Sequence, residues 1–152
     1  MQQEAPARVY AKFKLHFYKE IFQRFQSREA NLTTIETFSI ESIQALHNPT
    51  ISEFAAFMQI SLPNAAYKVN SLVKKGYLKK TQSTTDHREY HLEITPKYYE
   101  YYNISSGYLS EVLQRIQNRF SDEELEEFNR MMGIIGGELM PEVELPRDQK
   151  SN

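Results

Sequence analysis

The sequence predicts a mainly α-helical protein with one small antiparallel β-hairpin, and three observations lead to that prediction. Apolar residues recur at three- and four-residue intervals through most of the 152 residues, which is the period of amphipathic helices. Between Arg88 and Thr95, polar and apolar residues instead alternate, which is the period of a half-buried strand. Residues that cap helix N-termini precede several helical stretches. In chain order, these elements predict a helix-turn-helix followed by a β-hairpin, here called the wing, with long helices on either side.

The first predicted helix runs from about Arg8 to Arg28 and is amphipathic. Phe17 and Ile21 lie at helical spacing on one face, and Phe22 adds a second apolar edge. A small domain needs only one buried face of such a helix, so the second apolar edge has two interpretations. Either a partner chain covers the second edge, or the helix is clasped by its own domain.

Two short helices should follow, each opened by a capping box in which a threonine precedes a glutamate by three residues. The first pair is Thr33 and Glu36, for a helix that runs to about His47, and the second pair is Thr50 and Glu53. A tight turn then leads into a fourth helix. The third and fourth helices therefore make the helix-turn-helix pair.

The fourth helix is the predicted recognition helix. Ser61 can accept from the free N–H groups of its first turn, and Gly76 ends it. Apolar residues at helical spacing define an inner face, so the remaining positions face outward. The outward residues are Pro63, Asn64, Tyr67, Lys68 and Ser71. Such side chains can contact base edges or phosphates when the helix enters a major groove, but the pattern is also typical of a polar face that meets water.

Positive charge is concentrated around the recognition helix and the wing. Between Ser61 and His91, six Lys and Arg residues stand against two Asp and Glu residues, although the whole chain has a net charge of −2. Asp86 lies two residues before Arg88 and can pair with it. A wing arginine can enter the narrow minor groove, where the potential is most negative. After Ser121 acidic residues predominate, so we expect a basic end that faces phosphate and an acidic end that faces solvent.

Two further helices are predicted after the wing. Pro96 opens one that continues through Ile116, and Ser121 with Glu124 forms a third capping box for the last. The last helix contains Gly133, Gly136 and Gly137. Because each glycine in a helix costs roughly 1 kcal/mol relative to alanine, these glycines indicate either the close approach of another helix or an early helix end.

The wing and the residues before it resemble the signature of the multiple antibiotic resistance regulator (MarR) family. The similar pattern is Asp86-x-Arg88-x-x-x-Leu92-x-x-Thr95, preceded by Ser61 and by Leu72-Val-Lys-Lys-Gly76-Tyr-Leu. The similarity extends from about Tyr10 to Met140, and only the wing pattern is specific. The resemblance implies a homodimeric winged-helix transcription regulator, often a repressor that releases DNA when a small ligand binds.

This chain departs from the family pattern at two positions of the recognition helix. Ala66 stands where the family often has threonine, and Tyr67 stands where it often has arginine. The resemblance therefore does not predict the operator sequence.

The resemblance also implies a site for a small aromatic effector. In the family, such ligands bind in a crevice beside the element that links the DNA-binding lobe to the dimerisation helices. Tyrosines would supply flat apolar surface with a hydrogen-bonding edge there. The residues concerned are Tyr98, Tyr99, Tyr101 and Tyr102. The other interpretation is that these tyrosines are packed helix residues.

The composition argues against several classes of protein. The absence of cysteine excludes disulfides, thiolate metal sites and thiol-based peroxide sensing. No apolar run approaches the roughly 20 residues that cross a bilayer, and the first residues lack a signal-peptide pattern, so we expect a cytoplasmic protein without a membrane partner. Of the four histidines only His87 and His91 lie close together, and we predict neither a metal site nor a cofactor. Phosphate loops and catalytic motifs are missing as well, so we do not expect an enzyme.

We therefore predict a single domain, 1–152, that binds double-stranded DNA as a homodimer. Its parts are dimerisation helices at about 8–30 and 97–140, a winged helix-turn-helix lobe at about 33–95 and a polar tail at 141–152. The predicted DNA-binding residues are Ser61, Pro63, Asn64, Tyr67, Lys68, Ser71, Lys74, Lys75, Lys79, Lys80, Asp86, His87 and Arg88. The alternative is a winged-helix protein-interaction module, because Pro63, Ala66 and Tyr67 are less polar than a strong DNA-reading face usually is.

Overall fold

The computed structural model of the protein describes residues 4–26, 31–102 and 104–145. The elements found there are α1 Glu4–Gln26, α2 Thr34–Ala45, α3 Ile51–Met58, α4 Leu62–Lys74, β1 Leu78–Gln82, β2 Tyr90–Ile94, α5 Pro96–Tyr101, α6 Ile104–Gln117 and α7 Asp122–Glu138. This order confirms the predicted mainly helical fold with a two-stranded wing. The chain forms two compact units, Met1–Ser105 and Ser106–Asn152, where the sequence predicts one domain.

The core of the first unit lies where α2, α3, α4 and the wing meet. Its fully buried apolar residues include Ile40 and Ile43 from α2, Phe54 from α3, Val69 and Leu72 from α4, and Leu92 from β2. Burial stabilises the fold by roughly 1.5–3 kcal/mol for each large apolar side chain. The core therefore fixes the inner face of the recognition helix, and α1 adds Ile21 and Phe17 at its edge.

Side-chain caps begin the helices at the predicted residues. Thr33, Thr50, Ser61 and Ser121 each accept a backbone N–H from the first turn of the helix that follows. Thr50 and Ser121 complete reciprocal capping boxes with the glutamates three residues later. The carboxylate of Glu36, three residues after Thr33, accepts instead from two side chains of the recognition-helix segment described below.

The base of the wing is bonded to the segment between α2 and α3. The two strands pair antiparallel with Lys80 opposite Leu92, whose side chain enters the core. The Leu92 backbone N–H donates to Pro49 O at 2.8 Å, and His91 Nδ1 lies 3.0 Å from Asn48 O. The wing is thus held at its base by backbone as well as side-chain contacts.

One expectation from the sequence is wrong: the helix that begins at Pro96 does not continue through Ile116. It breaks at Tyr102, where φ is −121° and ψ is −70°, and α6 begins afterwards. The Tyr102 ring is buried edge-on against Tyr77, with centroids 5.4 Å apart, and the Tyr102 hydroxyl accepts from Leu32 N at 3.2 Å. These long-range contacts override the local helical preference.

The second unit contains most of α6 and all of α7. Of the two interpretations of its glycines, the early helix end is wrong, because α7 continues through all three to Glu138. None of the α7 residues is buried, and the exposed apolar ones include Met131, Met132 and Ile135. Across the described ranges, the helices are too short or too polar to cross a membrane.

Candidate nucleic-acid interface

The recognition helix α4 has a buried face and a polar face. Ala65, Val69 and Leu72 are buried, so the opposite side is free to contact a ligand. The predicted outward residues differ in exposure: Ser61, Pro63, Asn64 and Tyr67 are exposed, and Lys68 and Ser71 are half-buried. Tyr67, at 77% exposure, projects furthest into solvent. The N-terminal half of α4 therefore presents the most accessible surface.

A Schellman motif fixes the end of α4. Tyr77 N donates to Leu72 O, and Gly76 N donates to Val73 O, each at 3.0 Å. Gly76 has φ of +86°, a left-handed conformation that glycine adopts without steric cost. Lys97 Nζ donates at 2.8 Å to the carbonyl of the residue before Gly76. The direction of α4 and the start of the wing are therefore fixed with respect to each other.

The tip of the wing is ordered around Asp86. Asp86 Oδ1 accepts from Arg88 N at 3.0 Å and from Arg88 Nε at 3.4 Å, which confirms the predicted pairing. Gln82 Nε2 donates to His87 O at 2.7 Å across the turn. The Arg88 side chain is nevertheless 92% exposed, so its remaining N–H groups face solvent.

Three of the predicted lysines lie at the solvent side of α4 and β1. Lys74 and Lys79 are exposed, and Lys80 Nζ donates to Asn70 Oδ1 at 2.6 Å. Asn70 is an exposed residue that the sequence analysis missed. It follows Tyr67 by three residues and so lies on the same helix face, and this spacing could have identified it.

Lys75 has a different environment from the other lysines. Its Nζ donates to Asn31 O at 2.9 Å and to Glu36 Oε1 at 3.0 Å. The Lys75 side chain is 28% exposed and that of Glu36 is 12% exposed. Lys75 therefore contacts α2 and the residues before it within the described part of the chain.

Two of the tyrosines after the wing are buried. Tyr98 is buried and donates to Glu41 Oε1 at 2.7 Å, and burial together with the Glu41 carboxylate raises the pKa of Tyr98 far above its usual range. Tyr102 is also buried, whereas Tyr99 is exposed. The side chain of Tyr101 lies outside the described residues. Tyr98 and Tyr102 thus pack in the lobe, and Tyr99 is accessible.

The histidines of the wing have separate surroundings. His87 is exposed at the tip, and His91 contacts the Asn48 carbonyl at the base. Within 4–26, 31–102 and 104–145, no three His, Asp or Glu side chains are grouped closely enough to hold a metal ion.

Comparisons with known proteins agree with this geometry. The MarR family model matches residues 26–90, which include α2, α3, α4 and the wing tip. No curated protein matches the chain.

Solved structures show the same fold at low sequence identity. FabT of Streptococcus pneumoniae in complex with DNA is 20% identical with a TM-score of 0.57, covering 94% of this chain and 100% of that one. S. aureus MepR bound to ethidium bromide is 13% identical with a TM-score of 0.55, covering 92% and 97%. The YusO protein from Bacillus subtilis is 15% identical with a TM-score of 0.50, covering 90% and 92%. The predicted winged helix is therefore confirmed.

Proposed function

We propose that the protein is a homodimeric transcription regulator that binds an inverted-repeat operator, and the match of residues 26–90 to the MarR family model supports this proposal. The observation that carries the proposal is the polar N-terminal half of α4 beside a wing that exposes Arg88. In a winged helix these two elements approach a major groove and the adjoining minor groove.

The accessible side chains suggest a division of roles. Asn64 and Tyr67 would contact bases or phosphates in the major groove, and Arg88 would enter the minor groove. Lys74 and Lys79 are exposed and would supply salt-sensitive attraction to phosphate. Asp86 would act indirectly, because it holds the backbone that presents Arg88.

A homodimer is supported by apolar surface on α1. Leu15, Tyr18, Phe22 and Phe25 recur at three- and four-residue spacing and are exposed, Phe22 by 70%. An apolar stripe of this kind is typical of a helix that packs against a partner. A dimer with two-fold symmetry would match an inverted repeat, with its half-sites one helical turn apart.

The dimer proposal has a direct test. Phe22→Glu should shift the protein from dimer to monomer in analytical ultracentrifugation, because it places a charge within the apolar stripe. Gln23→Glu introduces the same side chain at an exposed position of this helix that is not three or four residues from any member of the stripe, and it serves as the control. A Phe22→Glu variant that remains dimeric would refute an interface at this stripe.

Repression and release by a small effector complete the proposal. A ligand that favours one separation of the two recognition helices would alter affinity for a fixed half-site spacing. Tyr99 is exposed, unlike Tyr98 and Tyr102, and would contact a flat aromatic compound.

The proposed function is tested by selection from random duplex DNA at two salt concentrations. Enrichment of an inverted repeat that is retained less well at the higher salt concentration would support a sequence-specific regulator. If a folded dimer enriched no sequence from the pool, the proposed function would be refuted.

A second function is favoured by exposed apolar residues at the start of α4. Leu62 and Tyr67 are 54% and 77% exposed, which also suits a protein-interaction module. Binding of a protein partner that persists at high salt, without binding to DNA, would support this alternative.

A further inference from the structure

A hydrogen-bonded cluster joins the C-terminal half of α4 to the start of α2. We call it the α2–α4 clasp, and its residues are Asn31, Glu36, Ser71, Lys75 and Tyr77. Lys75 Nζ donates to Asn31 O at 2.9 Å and to Glu36 Oε1 at 3.0 Å, and Ser71 Oγ donates to Glu36 Oε2 at 3.3 Å. Tyr77 OH donates to Asn31 Oδ1 at 3.0 Å. One side of the clasp is therefore Ser71 of α4 with Lys75 and Tyr77, which follow that helix, and the other side is the start of α2 and the chain that enters it.

Both charged members of the clasp are committed to internal partners. Each carboxylate oxygen of Glu36 accepts from α4 or its cap, and the ammonium group of Lys75 has two acceptors on the α2 side. Burial alone would raise the pKa of Glu36, but the hydrogen bonds from Lys75 and Thr33, together with the positive charge of Lys75, outweigh it and hold that pKa below its ordinary value. Glu36 is therefore charged at neutral pH. To contact a phosphate, Lys75 would have to break its ion pair with Glu36.

The neighbouring lysine provides a contrast. Lys74 ends α4 and is exposed, so it can contact a phosphate without breaking an internal bond. The two adjacent lysines carry the same charge but have different surroundings.

We propose that Lys75 and Glu36 are positioning residues, which hold the recognition helix at the angle that DNA binding requires, and that Lys75 is not a phosphate contact. This inference rests on the proposed function. It also predicts that the Glu36 carboxylate increases DNA affinity. A carboxylate that merely repels phosphate would decrease it.

Three variants separate these roles: Lys75→Met, Glu36→Gln and, as the matched control, Lys74→Met. Their affinities for a selected operator duplex should be measured by fluorescence anisotropy over a range of salt concentrations. Thermal melting should accompany each titration, so that affinity is compared between folded proteins.

Lys75→Met and Glu36→Gln should each weaken binding by about two- to fivefold, which corresponds to the upper part of the range for a partly exposed ion pair in a defined geometry. For both variants the slope of log affinity against log salt should stay at its wild-type value. Lys74→Met should instead lower the magnitude of that slope, by about 1.8 for two phosphate contacts in a dimer.

Several results would overturn the inference. A reduced salt slope in Lys75→Met would identify a phosphate contact, and tighter binding by Glu36→Gln would identify simple repulsion. A lower melting temperature with unchanged affinity would assign the clasp to stability alone.

A measurement without DNA tests the α2–α4 clasp independently of the proposed function. Amide hydrogen exchange near the end of α4 should accelerate in Lys75→Met and Glu36→Gln but not in Lys74→Met. Unchanged exchange would refute the clasp even if the wild type binds DNA. A wild type that binds no DNA would refute the proposed function, and with it the role of the clasp in recognition.

Discussion

Replacing Gly76 by alanine should destabilise the first unit through the backbone rather than through a clash. The added Cβ would meet Lys97 Cδ at 3.7 Å, which is an ordinary van der Waals distance. The cost therefore comes from φ of +86°, where a residue with a Cβ loses roughly 1–2 kcal/mol. For a protein of this length, each kcal/mol lowers the melting temperature by about 2–4 °C, so the expected decrease is about 2–8 °C.

The assay is urea unfolding followed by circular dichroism, with a thermal melt of the same samples. Gly76→Asn is the matched control, because asparagine tolerates the left-handed region better than alanine and should lose less stability. The transition midpoint should fall without a change in slope. If Gly76→Ala were as stable as the wild type, or less affected than Gly76→Asn, the Schellman motif would not require a left-handed residue at this position.

Three further predictions follow from single side chains. Arg88→Ala should weaken operator binding without lowering the melting temperature, because the side chain is 92% exposed, and unchanged affinity would contradict the proposed role of the wing. Tyr98→Phe should lose about 1.5–3 kcal/mol of unfolding free energy in urea titrations, since it removes a donor from the buried Glu41 carboxylate, and a loss below 0.5 kcal/mol would show that this bond adds little. The stability difference between the wild type and Glu36→Gln should be present above about pH 4.5 and vanish as pH falls through the lowered pKa of Glu36. The reason is that the folded state favours the charged form of Glu36. A difference that persisted in acid would not come from ionised Glu36.

The sequence predicts local features well because their causes lie within a few residues. Ser61 and Thr50 cap helices through backbone groups three residues away, and Gly76 ends a helix through its own φ. The pairing of Asp86 with Arg88 is local in the same way.

The features that the sequence does not predict have causes that are distant in the sequence. The break at Tyr102 depends on contacts with Leu32 and Tyr77, and periodicity within one helix does not report such contacts. The surroundings of Lys75 depend on Glu36, which lies 39 residues earlier. From sequence alone, Lys74 and Lys75 are two adjacent cations, and only the tertiary structure distinguishes their environments.

The wing base is attached to Pro49. We therefore expect the register of β1 against β2 not to depend on the length of the tip. Because the Leu92 backbone and the buried Leu92 side chain anchor β2, we expect the strand pairing to stay in place when the number of residues in 83–89 is changed. Doubling the length of a flexible loop costs only about 0.6 kcal/mol in closure entropy. We therefore expect the tip to tolerate changes in length. Its length would determine how far along a duplex Arg88 reaches.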